Sequence, residues 1–374
     1  MFDPDGPFVG GFLFIISGET LANPLQWLLG LITLDISIDL GTANTLVNVH
    51  GKGIVINEPS WVAIDKKSRR VLKVGRAAKE IIGRTPPNVV TMRPIRDGVI
   101  SEFDATATML EYFIRRVIHQ SVVPVPLTRV IVGVPVGATS VERRAVIDAA
   151  TSAGAREALL VEEPVASAIG AALPIRGVHS VMLMDIGGGT TEIAVFSSRR
   201  IVLSNSIRIA GDEMDENVVT YLRDKYNLLV GQTMAEQAKK TVGAAAPLGE
   251  EKVMTVRGRN LISGLPEEVE ISSIEMREAL APSLKTISQA LKDVLEQAPP
   301  EIMADLLDSG LCLTGGGALL NGLPERLSEE FKIKVWRADD PLTCVVRGAA
   351  AVLSGLDQHR EFLASSDRDY RAKR

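Results

Sequence analysis

Two short stretches carry the residue types that bind phosphate. One reads Asp39-Leu40-Gly41-Thr42-Ala43-Asn44-Thr45, the other Asp185-Ile186-Gly187-Gly188-Gly189-Thr190-Thr191. They agree at the aspartate, the first glycine and the last threonine. Small residues let backbone N–H groups approach phosphate oxygens, and Thr or Asn side chains add donors. An aspartate at the preceding strand end, Asp39 or Asp185, can hold Mg²⁺ directly or through water. Either stretch alone reads as an ordinary turn. Two copies facing each other across a cleft would clamp a polyphosphate.

Two further segments belong to this chemistry. Gly315-Gly316-Gly317-Ala318-Leu319-Leu320 follows the apolar run Leu311–Thr314. Glycine at a strand-to-helix junction lets a ligand lie against the backbone and the helix N-terminus; without a ligand it makes a tight turn. Leu159-Leu160-Val161-Glu162-Glu163-Pro164 reads as a strand ending in two carboxylates, with Pro164 starting a helix. Acidic residues gather at helix N-termini because of the dipole. Beside a phosphate clamp, one of the pair can orient or deprotonate an attacking water. Spacing does not choose between Glu162 and Glu163.

Each turn needs flanking strands. Residues 34–40 alternate apolar and polar, the pattern of a half-buried strand; Val47 and Val49 mark the next strand, closed by His50-Gly51-Lys52-Gly53. In the second copy Val181–Met184 is an apolar run suited to a buried strand, and Ile193 and Val195 mirror Val47 and Val49. The two aspartates stand 146 residues apart, about one domain, so the chain reads as an internal duplication. A core helix is expected over Val141–Ala153, with a Thr139–Glu142 capping box and Gly154 at its end. Charged helical patterns follow at Met214–Tyr226 and Ala235–Thr241, then a turn at Gly258-Arg259-Asn260.

Composition narrows the remaining classes. The 374 residues are 46% hydrophobic and 23% charged, which excludes a disordered or collagen-like chain. The balance of 41 basic against 46 acidic residues shows no electrostatic footprint for nucleic acid, and 4% aromatics leave no base-stacking platform. Two cysteines, Cys312 and Cys344, form neither a disulfide framework nor a zinc site; they fit a reducing cytosol. The four histidines have no metal-ligand spacing. Neither G-x-S-x-G nor G-x-x-x-x-G-K-[ST] occurs.

The paired turns, the Glu-Glu-Pro strand end and the Gly-Gly-Gly-Ala turn together resemble the actin-like ATPase superfamily. Within it the chain is similar to the MreB family of bacterial cell-shape actins, from about Ile36 to about Leu353. The stretches IDLGTANTLV, RPIRDGVI, GVPVGAT, VERRA, DIGGGTTE, IRIAGDEMDE and LTGGGALL carry the resemblance. It implies an α/β actin-like fold of two duplicated ribonuclease-H-like domains flanking a nucleotide cleft, each with a smaller subdomain. Residues 34–178 with the C-terminal helix 345–356 would form the first domain. Residues 179–344 would form the second, with 212–280 as its outer subdomain, and 357–374 would be a polar tail.

The resemblance also implies roles for individual residues. Thr42, Ala43 and Asn44 match the first phosphate turn; Gly187, Gly188, Gly189 and Thr190 match the second. Asp185, with Asp39 as its counterpart, matches the Mg²⁺-organising aspartate. Glu163 matches the residue that positions the hydrolytic water. Glu236, Gln237, Ala238 and Lys239 match the helix that contacts ribose and adenine, although the residues themselves read as a solvated i,i+3 pair. Gly315, Gly316, Gly317, Ala318 and Leu319 match the adenosine turn. The implied function is an ATP- and Mg²⁺-dependent ATPase that polymerises with itself and organises cell-wall synthesis in a rod-shaped cell. Its partners would be the cell-wall elongation machinery and the inner face of the cytoplasmic membrane. A small-molecule kinase and a DnaK-type chaperone share the clamp. No segment proposes a second-substrate pocket with a catalytic aspartate, and only about 20 residues follow the last core helix.

The N-terminal segment is the second candidate site. Between Gly6 and Leu34 the only charge is Glu19, and no Lys or Arg precedes Lys52. A secretory signal needs a basic start. A membrane span would place Glu19, Asn23, Pro24 and Gln26 mid-bilayer, at on the order of 3 kcal/mol for the carboxylate alone. Asn23 can cap a helix with Pro24 at its first position. Over Leu25–Leu34, Gln26, Gly30 and Thr33 form a narrow polar stripe against Leu25, Trp27, Leu28, Leu29, Leu31 and Ile32. Residues 1–33 therefore read as an apolar extension whose helix lies in a membrane interface; the alternatives are a helix packed on its own domain, or an upstream translation artefact over residues 1–20. Val122-Val123-Pro124-Val125-Pro126-Leu127 is a second lipid candidate, matching a membrane-contact loop of the family; the alternative is a buried crossover loop. Family anchors are often basic; with no Lys or Arg here, binding would rest on apolar burial.

Overall fold

The structure is a computed structural model, and it describes residues 33–96, 98–120 and 127–364. The helix expected from Asn23 and the loop 122–126 lie outside the described residues. Thr33 and Leu34, assigned above to the end of that helix, are the first residues of a strand, and Leu127 likewise opens one.

Two five-stranded sheets repeat one plan. The first contains β1 (Thr33–Leu40), β2 (Asn44–Val49), β3 (Gly53–Pro59), β4 (Leu127–Val134) and β5 (Glu157–Glu162), in the order β5-β4-β1-β2-β3. The second contains β6 (Val181–Ile186), β7 (Thr191–Ser197), β8 (Arg200–Ile207), β9 (Leu311–Thr314) and β10 (Val335–Arg337), in the order β8-β7-β6-β9-β10. In both, the central strand pairs antiparallel with the next strand and parallel with a later one. Each aspartate thus ends a central strand and each glycine turn closes a hairpin. Pairing begins at Leu40 with Thr45 and at Ile186 with Thr191, so Asn44 and Thr45 already belong to β2.

The helices relevant to the site are α1 (Ser140–Ser152), α2 (Glu163–Gly170), α3 (Gly211–Tyr226), α4 (Gln232–Val242) and α5 (Cys344–Ser354). α1 starts with the expected capping box of Thr139 and Glu142. β1 is more deeply placed than its alternation implied. Ser37 is as buried as its neighbours Ile36 and Ile38, because α5 covers the polar face. Its hydroxyl donates to the Val346 carbonyl at 3.2 Å, which satisfies it there.

Separate apolar clusters fill the two halves, and a third lies between them. The third contains Val165 and Ala168 of α2, Val345, Ala349 and Val352 of α5, and Leu183 and Phe196 of the second sheet. Glycine makes the α2–α5 contact possible: a Cβ on Gly348 would come within 1.7 Å of the Ala166 carbonyl oxygen. The backbones therefore touch where the halves join.

Three expectations need correction. Residues 258–260 are the end of a strand, Val253–Asn260, and the turn falls after them, because Gly258 and Arg259 pair with Glu267 and Pro266. The last core helix stops at Ser354 rather than residue 356. The start of the polar tail returns to the core: Phe362 is buried, and Leu363 bridges Val161 at the edge of the first sheet.

Candidate functional site

The two glycine turns meet across a cleft of about 530 Å³ between the halves. Local bonds hold the first turn. Ser60 donates from its hydroxyl to the Gly41 carbonyl at 2.6 Å and from its backbone N–H to that of Ala43 at 3.0 Å. Thr42 accepts from the Gly98 N–H at 3.3 Å. The second turn is held by α3, whose Asp212 N–H donates to the Gly188 carbonyl at 2.8 Å. A Cβ on Gly188 would lie 2.8 Å from the Ala43 Cβ and 3.0 Å from its nitrogen. Only glycine allows the turns to approach this closely.

Of the residues singled out in the sequence, Asp39, Thr42, Ala43, Asn44, Glu163, Asp185, Gly187, Gly188, Gly189, Thr190, Glu236, Lys239, Gly315, Gly316, Gly317 and Leu319 line this one cleft. Three do not. Ala238 and Ala318 are fully buried in the core of the second half, and Gln237 is exposed on the far face of α4. The helical period explains the error: Glu236, Lys239, Lys240 and Gly243 share the cleft-facing side at i, i+3, i+4 and i+7. A run of four consecutive residues cannot share one face.

The geometry separates the two glutamates that spacing left open. Glu162 turns away and pairs with Arg143 at 3.1 Å. Glu163, first residue of α2, lines the cleft. Its environment disfavours charge: burial pushes its carboxyl well above the usual range, and Glu192, Asp39 and Asp185 push it further. Burial and the charge of Asp185 raise Asp39 to about 7. Burial also raises Asp185, against hydrogen bonds from Ser167 and Thr314 that lower it. Glu192, paired across the strands from Asp185, is raised to about 8, chiefly by burial and then by Asp185. Buried carboxylates that raise one another beside the two glycine turns favour a bound cation.

The donor set fits Mg²⁺ of a particular kind. Among the described residues no three or more His, Cys, Asp or Glu side chains gather into a metal cage. Two strand-end carboxylates, Asp39 and Asp185, face the space between the turns. Mg²⁺ is commonly held this way, by one or two carboxylates with phosphates and water completing the shell.

Sequence reasoning missed the charged groups that cross the cleft. Arg93, from the first half, stacks over Trp61 at 5.2 Å and pairs with Asp212 of α3. Lys79 pairs with Glu236 of α4 at 2.9 Å. Burial opposes ionisation of Glu236, yet Lys240 and Lys79 bring its carboxyl down to about 2. Lys239 pairs with Asp215 at 2.8 Å and donates to the Gly211 carbonyl at 2.5 Å. Asp212 and Asp215 sit in the first turns of a helix that starts at Gly211, a glycine-to-helix junction of the same type as Gly315. That was the available signal. Nothing local pointed to Lys79, and Arg93 opens the stretch RPIRDGVI without a role being assigned to it; the partners of both are more than 100 residues away.

Comparison with known proteins agrees with this geometry. A sequence model of the MreB/Mbl protein family matches residues 33–361. The cell shape-determining protein MreB of Escherichia coli K12 is 48% identical over 342 residues, covering 90% of this chain and 98% of the relative. The cell shape-determining protein Mbl of Bacillus subtilis 168 is 46% identical over 324 residues, covering 87% and 97%. Among solved structures, MreB5 of Spiroplasma citri bound to ADP superposes with a TM-score of 0.83 at 34% identity, covering 88% of this chain and 99% of that one. The same protein bound to AMPPNP gives the same score. A MamK double helical filament, at 21% identity and a TM-score of 0.72, shares the fold.

Proposed function

This chain belongs to the MreB/Mbl family, and from that premise we propose that it is an ATPase whose nucleotide cycle controls self-assembly on a membrane, in the service of cell shape. The observation that carries the proposal is the convergence of both glycine turns, Asp39, Asp185 and Glu163 on one cleft. The turns present backbone N–H groups to phosphate, and the Gly315–Gly317 turn and α4 provide the surface for the nucleoside. Asp185 with Asp39 would hold Mg²⁺, which when bound neutralises phosphate charge. Glu163 orients the attacking water. The adenosine-nucleotide complexes of the S. citri relative support the choice of ligand.

The architecture supports assembly. A ligand gripped by both halves sets their relative position, and therefore the outer surfaces available for stacking. Head-to-tail contacts of that heterologous kind do not close, and they propagate as filaments. We place domain boundaries near residues 34, 179 and 345, each half having its own sheet. Among the described residues no helix is long and apolar enough to cross a membrane. Membrane attachment is assigned to the apolar segment before Thr33 and to Val122–Leu127, strengthened by avidity in a filament. Filaments on the inner face of the membrane would organise the wall-elongation machinery. The test is pelleting and negative-stain microscopy on liposomes with ATP, ADP and no nucleotide. Nucleotide-dependent filaments are expected; a protein that stays monomeric at micromolar concentration on liposomes with ATP would overturn the reading.

A further inference from the structure

Asp185 is bound from behind by two hydroxyls. Thr314, the last residue of β9, donates to its Oδ2 at 2.9 Å. Ser167, on α2, lies 2.7 Å from the same oxygen and 2.8 Å from the Thr314 hydroxyl. All three side chains are buried, Ser167 and Thr314 completely. The triangle has three edges and only two protons. Both hydroxyls donate to the carboxylate, or one donates to the other and that one to the carboxylate. In either arrangement Oδ2 is engaged and the plane of the carboxyl group is set. The other oxygen, Oδ1, borders the Gly315 turn, where an added Cβ would stand 2.5 Å from it.

The elements these residues come from give the triangle its meaning. Ser167 is one helical turn after Glu163 on α2, so both project from the same side of that helix. Asp185 and Thr314 belong to neighbouring strands of the second half, paired at those residues. Ser167 therefore ties the helix that carries the water-orienting glutamate to the strand end that carries the cation-binding aspartate. We propose that Ser167 and Thr314 are positioning residues: they hold Asp185 so that it presents Oδ1 to the cation, and through α2 they keep Glu163 and Asp185 in fixed register. This rests on the reading of the cleft as a Mg²⁺–nucleotide site. Groups that orient a metal's carboxylate ligand are typically worth about 10- to 100-fold in metal affinity.

The experiment titrates Mg²⁺ against binding of a fluorescent ADP analogue to the full chain, without hydrolysis. Ser167→Ala and Thr314→Val each delete one hydroxyl, the second at nearly constant shape. Thr314→Ser keeps the hydroxyl. For the two deletions, half-saturating Mg²⁺ should rise about 10-fold while binding in EDTA is unchanged; Thr314→Ser should stay within roughly twofold. Thermal unfolding identifies the variants that fold. Folded Ser167→Ala and Thr314→Val proteins with wild-type Mg²⁺ dependence would overturn the inference alone. So would a Thr314→Ser shift equal to that of Thr314→Val. A wild-type protein that binds the analogue without regard to Mg²⁺ would instead remove the reading of the cleft, and this inference with it.

Discussion

Replacing Glu163 by Gln tests the chemistry most directly. The substitution keeps the shape of the first residue of α2 and removes only its charge and basicity. Loss of a group that orients or deprotonates water typically lowers the rate by about 10²–10⁴, or roughly 3–5 kcal/mol of activation free energy. Binding should move the other way or not at all. Glu163 faces Glu192, Asp39 and Asp185, whose charges all disfavour its ionised form. A neutral amide relieves that repulsion and adds no negative charge against incoming phosphates. Helix stability changes little, since an acidic residue in a first turn contributes only about 0.3–1 kcal/mol. Phosphate release at saturating ATP and affinity for a fluorescent nucleotide, read on one preparation, separate these effects. Turnover within about threefold of wild type would remove Glu163 from the mechanism, because no water-orienting group is worth so little. Collapse of both rate and affinity would show a structural role instead.

The acid cluster predicts a pH dependence. Asp39 sits at about 7 and Glu192 at about 8 in the folded protein, both above their ordinary values of 3.8 and 4.5. The folded state therefore holds protons that the unfolded chain has released, and stability declines as pH rises from about 4 through these values. In EDTA the denaturation midpoint should be higher at pH 6 than at pH 8, and Asp39→Asn should flatten the difference; a higher midpoint at pH 8 would contradict the assignment. Deleting residues 1–32, which leaves β1 intact from Thr33, should weaken co-sedimentation with liposomes while nucleotide affinity stays at the wild-type value. If the truncated protein still co-sediments fully, Val122–Leu127 is the main lipid contact.

Motifs were readable where the chemistry restricts residue type within a few positions. Phosphate needs small residues next to a strand end, and the two Asp-x-Gly turns therefore stand out and occupy equivalent places in two equivalent sheets. The capping box at Thr139 was readable for the same reason, since both partners lie within one helical turn. Contacts made at a distance were not. Arg93, Lys79 and Ser167 acquire their roles only when the other half of the chain folds against them; in the linear sequence Ser167 is one small residue in a helix rich in alanine. Gly258-Arg259-Asn260 shows the converse, a local turn signal overridden by pairing with Glu267 and Pro266. Gln237 and Ala238 failed because a motif names consecutive residues whereas a helix offers only one side. The pairings hidden from the sequence are also those that join the halves: Lys79 to Glu236, Arg93 to Asp212, Ser167 to Asp185 and Thr314. Each glycine turn belongs to one half, and these cross-links would make occupancy of the proposed nucleotide cleft felt by both. That coupling is what a nucleotide-controlled assembly requires, and it resides in pairs whose members are chosen by the fold rather than by any neighbour in sequence.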